Sequence, residues 1–361
     1  MRLTSLAAGI LTLAIGAYPV ASTIASRAAA APRRAFAAAQ EEAPPGPMGR
    51  TRDDVPPQAD QDQTQRQLPE SSQPLQVATT VVNVFATVRD HHNEIVTDLT
   101  KDDFRIYEDG VEQKVSYFSK EVNLPITLAL LMDTSYSMHN TLVAEQDAAS
   151  RFVREVLRKK DEALVMTFDT DINLLADFSE DPSVLDRAIR RATINVDASG
   201  IGGTGGTIPS QGGGTDLYDA VYLACNDELA HEAGRKAIVL LTDAEDTGSK
   251  VSLGQAVEAA QRADAVIHVI LIIDPRETEG YGPGVAMRMT SDTGGRVINV
   301  RHGNDLEKAF DEISTELRSQ YVLGYYPLNP KHDGTFRRIK VDVHRPDVKI
   351  LARKGYYAPG S

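Results

Sequence analysis

The sequence predicts an α/β fold: a doubly wound, mainly parallel sheet flanked by helices, with a small β-sandwich built from strands on both sides of it. Three observations carry this prediction. Residues 126–132, Ile-Thr-Leu-Ala-Leu-Leu-Met, form an apolar run of the kind found in strands buried on both faces. Strand-like and helix-like stretches alternate from 124 to 318, which argues for right-handed crossovers and a parallel sheet. Before and after those limits the pattern reverts to the period-two alternation of half-buried strands.

The elements follow in chain order. Met1-Arg2, an apolar stretch over 6–17 and small residues beyond it read as a secretory signal peptide, assigned to 1–39. The apolar stretch is short of the roughly 20 residues that span a bilayer, and Pro19 interrupts it. A mature chain without a transmembrane segment is therefore expected, secreted or held in the periplasm or cell envelope. Residues 40–76 are rich in Pro, Gln, Glu, Asp and Ser and read as a disordered linker. A β unit over 77–121 is predicted from strands at 82–88, 95–99, 104–108 and 113–118, with Asp109-Gly110 as a hairpin turn.

The α/β domain is assigned to 122–319. Its predicted helices are 142–158, 182–191, 216–232, 252–263, 285–293 and 304–318. Its strands are 163–168, 172–176 at an edge, 236–241, 265–273 and 296–300, besides 126–132. Asp181 is placed as a helix cap, and Asn304 with Glu307 as a capping box. Residues 320–357 return to strands, at 321–326, 336–344 and 348–352. Neither flanking unit has enough strands for a core of its own, so the second is expected to pack with 77–121.

Composition narrows the function. The chain has 361 residues, 42% of them hydrophobic, and a net charge of −13, which speaks against a nucleic-acid partner. Cys225 is the only cysteine, so no intrachain disulfide forms. It shares a helical face with Leu217, Ala220 and Val221 and reads as a small buried residue.

The chemistry gathers after the first buried strand. Asp133, Ser135 and Ser137 stand at alternate positions on the loop at its carboxyl end, where open α/β sheets bind ligands. All three offer hard oxygen, which suits Mg²⁺, Ca²⁺ or Mn²⁺ better than zinc. Three oxygens leave a coordination shell incomplete. Two later stretches offer more: Gly212-Gly-Gly-Thr215-Asp216, and the second buried strand that ends in Thr242-Asp243.

The order D-x-S-x-S, G-G-T-D, then a strand ending in T-D resembles the von Willebrand factor A domain and its metal-ion-dependent adhesion site, over 124–318. The resemblance implies that Ser135, Ser137 and Thr215 bond directly to a divalent ion, Mg²⁺ or else Ca²⁺ or Mn²⁺. It implies that Asp133 and Asp243 bind directly or through water. With few carboxylates in contact, the ion keeps excess positive charge and an open position. The implied partner is a protein presenting an Asp or Glu carboxylate to that position.

Other residues take plainer readings. Asp216 is placed as a helix cap or an outer group, Glu245 and Asp246 as solvated acids, and 197–214 as a loop that delivers Thr215. His91, His92 and His139 are expected to face water, and His268 to be a satisfied core histidine. No H-E-x-x-H or G-x-S-x-G pattern is present and no catalytic residue is assigned, so the chain is read as a binding module, not an enzyme. The alternatives are a structural component of an envelope or secretion assembly without a metal-dependent ligand, and a metal-dependent hydrolase, for which the sequence offers no base.

Overall fold

Residues 81–120, 125–194, 214–273 and 282–360 are described by the structure, a computed structural model. The signal-peptide and linker expectations lie outside the described residues, as does the 197–214 loop apart from Gly214.

Strand β1 (Val82–Arg89) buries Val82, Val84, Ala86 and Val88 at alternate positions. β2 (Phe104–Glu108) turns through Asp109 and Gly110, both with positive φ (49° and 84°), into β3 (Val111–Gln113). A two-residue turn of this hand matches the twist of the strands it joins. The predicted strand 113–118 is in fact two pieces. β3 pairs with β2, and after Lys114 the chain changes sheet, so that β4 (Val115–Ser119) pairs elsewhere.

The predicted strand at 95–99 is not formed; only Ile95 bridges Arg89. A tyrosine takes over the work of a neighbouring strand there. The Leu99 N–H donates to the Tyr321 hydroxyl (3.0 Å), which donates to the Val96 carbonyl (3.0 Å).

The α/β part opens with β5 (Ile126–Asp133), in which every residue is buried. It continues through α1 (Leu142–Val156), β6 (Glu162–Phe168), β7 (Ile172–Ser179), α2 (Pro182–Ile189), α3 (Leu217–Leu223), β8 (Arg235–Thr242), α4 (Leu253–Ala263), β9 (Ala265–Ile272), α5 (Pro283–Thr293), β10 (Val297–Val300) and α6 (Gly303–Arg318). The sheet order is β10-β9-β8-β5-β6-β7, parallel throughout except for β7 at the edge.

Both faces are covered. Leu128, Leu130 and Met132 pack under α1, α2 and α6, whereas Ala129 and Leu131 pack under α3, α4 and α5. That two-sided burial is why β5 and β8 read as unbroken apolar runs rather than alternations.

Helix ends follow local chemistry where the capping group is free. The Asp181 side chain accepts from the Ser183 N–H (2.9 Å), and Ser252 with Gln255 makes a capping box on α4. The predicted box at α6 is displaced. That helix begins at Gly303 with His302 at the cap position, and Glu307 instead meets Arg151 of α1 (2.7 Å). The predicted helix 216–232 also divides: after α3 come a π turn over Ala224–Glu228 and a 3₁₀ turn over Leu229–His231.

After α6 come β11 (Tyr321–Tyr325), β12 (Phe336–Val343), β13 (Lys349–Ala352) and β14 (Gly355–Tyr357). Strands from the two ends of the described chain interleave in two antiparallel sheets, β13-β1-β11-β4 and β14-β12-β2-β3. Val84, Ile106, Tyr321, Leu323, Tyr325 and Ile339 lie buried between them. A buried ion pair from Arg89 of β1 to Glu316 of α6 (2.7 Å) ties the sandwich to the α/β layers. His268 of β9 lies nearby and is fully buried, but neither ring nitrogen has a hydrogen-bond partner. It is a core histidine without the satisfaction expected of one, and burial depresses its pKa.

Candidate metal centre

The sheet order creates a crevice. From β5 the chain moves to β6 on one side, and from β8 it moves to β9 on the other. The loops at the carboxyl ends of these adjacent strands therefore diverge, and ligands of open α/β sheets bind at such a switch point.

Asp133, the last residue of β5, is wholly buried there. One carboxylate oxygen accepts from the Ser135 N–H (2.9 Å) and the other from the Thr242 hydroxyl of β8 (2.6 Å). A 3₁₀ turn over Tyr136–Asn140 folds the chain back, leaving the Ser135 and Ser137 hydroxyls 3.0 Å apart. Ser137 in turn hydrogen-bonds the Asp243 carboxylate, which also accepts from the Glu245 N–H (3.0 Å).

Four of the sequence-predicted residues thus form one hydrogen-bonded group: Asp133, Ser135, Ser137 and Asp243. Thr215 is buried and is linked to them through intermediaries. Its N–H donates to the Thr247 hydroxyl (2.9 Å), and its carbonyl accepts from the N–H groups of Thr247 (3.0 Å) and Gly248 (3.2 Å). The Asp216 N–H donates to the Asp169 carbonyl (2.7 Å), and the Asp169 carboxylate accepts from Thr134 (2.8 Å).

The turn after Asp243 is strained. Ala244 is buried with φ of 61°, a region that costs an L-residue about 1–2 kcal/mol. Gly282 holds it there, its N–H donating to the Asp243 carbonyl (2.9 Å). A β-carbon on Gly282 would stand 2.1 Å from the Ala244 carbonyl oxygen, so only glycine fits.

Electrostatics set this group apart. Burial, with the neighbouring charge of Asp243, raises the Asp133 pKa to about 7, against the pull of Ser135 and Thr242. Burial also raises Asp243. A third acid was not singled out by sequence. Glu145 on the first turn of α1 is wholly buried, and burial, with Asp133 and Asp243 adding, raises it to about 8. Thr141 opposes that rise, but its hydroxyl donates to the Met138 carbonyl (3.1 Å), and both Glu145 oxygens lack a hydrogen bond. The signal was present in sequence: an acid among Leu142, Ala149 and Phe152 on an otherwise apolar helix face.

Among the described residues no Lys, Arg or His pairs with any of these three acids. Nor, among them, do three or more His, Cys, Asp or Glu converge as a metal cluster. The donors are mostly neutral hydroxyls beside few carboxyls, a set that suits a hard divalent ion and leaves its charge largely uncancelled.

The other singled-out residues are placed as follows. Asp216 occupies the cap position of α3 but makes no side-chain cap hydrogen bond. Asp246 does that work instead, accepting from the Tyr218 N–H (3.2 Å), so it is not the solvated acid expected. Glu245 is exposed, as are His91 and His92. His139 is exposed and stacks on Tyr136 at 4.7 Å. Cys225 is buried, and burial pushes its thiol up to about 12, away from reactive thiolate.

Residues 128–245 match the family model described as the von Willebrand factor type A domain. The chain carries a von Willebrand factor type A domain. The match runs from β5 to the loop after β8, and so takes in every residue of the hydrogen-bonded group. No curated protein sequence matches the chain.

Solved structures similar to it include the conserved hypothetical protein BatB from Bacteroides thetaiotaomicron, with 18% identity over 53% of this chain and 97% of that one, at a TM-score of 0.41. A von Willebrand factor type A protein from Catenulispora acidiphila is 12% identical over 72% of this chain and 74% of that one, with a TM-score of 0.45. Proximal thread matrix protein 1 from mussel byssus, with a zinc-occupied MIDAS motif, is 16% identical over 57% of this chain, with a TM-score of 0.44. This chain spans about half of that protein, 48% of its length. Among the described residues no helix is long and apolar enough to cross a membrane.

Proposed function

We propose that this chain is an exported, non-enzymatic binding module. Its A domain, taken as 122–319, holds a divalent cation and presents it to an Asp or Glu carboxylate of a partner protein. The β units at 77–121 and 320–357 frame that domain, behind a signal peptide (1–39) and a linker (40–76).

The observation that carries the reading is the set of buried acids, Asp133, Asp243 and Glu145, with no cationic side chain paired to them at the switch point. Such burial is costly unless a counter-ion or a proton offsets it. Ser135, Ser137 and Thr215 would hold the ion, Mg²⁺ or else Ca²⁺ or Mn²⁺, with Asp133 and Asp243 in support, directly or through water. The bound ion supplies an electrophilic position for a carboxylate. Thr242 and the Ser135 N–H orient the Asp133 carboxylate, and the Ala244 turn aims Asp243. Burial keeps the Glu145 carboxyl protonated near neutral pH, so without an ion it adds no further charge to the group.

The test is a thermal melt of wild type and Asp133→Ala, each in EDTA or in millimolar Mg²⁺, Ca²⁺ or Mn²⁺. Metal should raise the wild-type melting temperature and leave Asp133→Ala unmoved. Equal shifts in both proteins, or none in wild type with any ion, would sink the reading. Partner capture that persists in EDTA would point instead to a structural joint.

A further inference from the structure

We infer that a cleft away from the metal loops binds an acidic peptide segment of a partner protein. The cleft, about 480 Å³, lies between helices α4 and α5 and the sandwich strands β12 and β14. Its walls carry Arg288, Arg338, Lys340 and Lys354, together with the rings of Phe336 and Tyr357. Asp292 is the one acid among the lining residues. On a chain of net charge −13 this is a local reversal of sign, and charge complementarity selects an anionic occupant.

Strand geometry builds the basic wall. β12 buries Arg337 and Ile339 and exposes Phe336, Arg338 and Lys340 at every second position. Those side chains repeat at about 7 Å along the strand, the spacing of alternate side chains in an extended peptide. Such a peptide, with acids at alternate positions and one apolar residue, matches the row in period and in charge.

The cations are available. Arg338 makes no ion pair among the described residues. Lys354 and Arg288 share Asp292 (2.9 and 3.9 Å), and Lys340 meets Asp342 (2.7 Å), but the four side chains other than the half-buried Asp292 are 44–69% exposed. Ion pairs at that exposure are weak and exchange readily for a partner's carboxylates.

The aromatic end is held in place. Phe336 and Tyr357 meet with ring centroids 5.2 Å apart, and Arg262 covers the Tyr357 ring at 3.9 Å. A β-carbon on Gly355 would stand 2.2 Å from the Phe336 ring, so glycine there lets the ring lie across β14. Phe336 remains 41% exposed, apolar surface that an occupant can cover.

The experiment is fluorescence anisotropy on the full chain with a labelled Phe-Ser-Glu-Ser-Glu peptide. Variants are the double charge reversal Arg338→Glu with Lys340→Glu, and Phe336→Ala, each checked for folding by thermal melt. We expect binding at low ionic strength that weakens toward about 0.15 M salt. The double reversal should lower affinity at least about ten-fold and Phe336→Ala several-fold. The measurement is made in EDTA, so that a carboxylate taken by the metal site contributes nothing; peptide binding that is lost in EDTA would belong to that site and would overturn the proposal. An unchanged affinity in the folded double reversal would overturn the proposal. So would inorganic polyphosphate displacing the peptide regardless of Phe336, which would mark a general anion surface.

Discussion

Buried acids occupy two regions of this molecule, and they differ in what faces them. In the sandwich and at its join to α6, each has a partner. Glu316 meets Arg89 (2.7 Å) and Arg296 (2.9 Å). Glu108 accepts from Tyr325 (2.8 Å), Tyr356 (3.0 Å) and Arg337 (3.3 Å). At the base of the α/β sheet, Asp161 takes the N–H groups of Ile126 and Arg158 (2.9 Å each) and pairs with Arg318. At the carboxyl ends of β5 and β8, Asp133 and Asp243 have hydroxyls and N–H groups but no cation, and Glu145 has neither. Desolvation penalises a buried carboxylate wherever it lies. The first region offsets that cost from within the chain. The second leaves it to a proton or to something added, which is the physical content of the metal proposal.

The largest expected effect breaks the first region. Arg337→Ala would leave Glu108 buried with only tyrosine hydroxyls, and removing one partner of a buried pair costs about 3–5 kcal/mol. Urea unfolding should show that loss, whereas Asp133→Ala measured in EDTA should show none, because it removes one of several mutually repelling acids. If the two losses are alike, the contrast between the regions disappears.

Metal comes next. At a hundredfold excess over Kd, binding to the folded state alone stabilises by about 2.7 kcal/mol. Calorimetric melts should show this gain in wild type, none in Asp133→Ala and a reduced gain in Thr215→Ala, since water can replace one neutral ligand.

A pH experiment sharpens the second region without metal. The Glu145 carboxyl is raised from its usual 4.5 to about 8, so the folded chain keeps a proton that the unfolded chain releases. Its contribution to stability is complete below about 4.5 and is lost as pH rises through about 8, at up to about 1.4 kcal/mol per pH unit. Glu145→Gln cannot ionise. Its unfolding free energy in EDTA should exceed that of wild type at pH 8 and converge with it near pH 5. A difference independent of pH would mean that Glu145 is not held neutral. The smallest effect tests the strained turn. Ala244→Gly, at φ of 61°, should raise stability in EDTA by about 1 kcal/mol, read from the urea midpoint, and a loss would show that the turn is not strained.

What the sequence determined alone is what local chemistry decides. Continuous apolar runs over 128–132 in β5 and 237–241 in β8 marked these as strands with both faces covered, because no polar position interrupts either run. Asp181 could be read as a cap because its partner, the Ser183 N–H, lies two residues away. The alternate spacing of Asp133, Ser135 and Ser137 was legible for the same reason, and so was the Thr242-Asp243 strand end.

Tertiary structure decided which distant groups meet. Thr242 holds Asp133 only because β5 and β8 run side by side, although 109 positions separate the two residues in the chain. The segment 95–99 gave up its strand to the hydroxyl of Tyr321, 222 positions on from Leu99. Lys114 marks a change of sheet that becomes visible only once β11 is in place. Glu145's place on an apolar helix face was legible, but that no partner meets its carboxyl depends on what packs around it. A side chain's type and spacing are properties of the chain, but its solvation and its countercharge belong to the packed neighbours, and those were set by strand order.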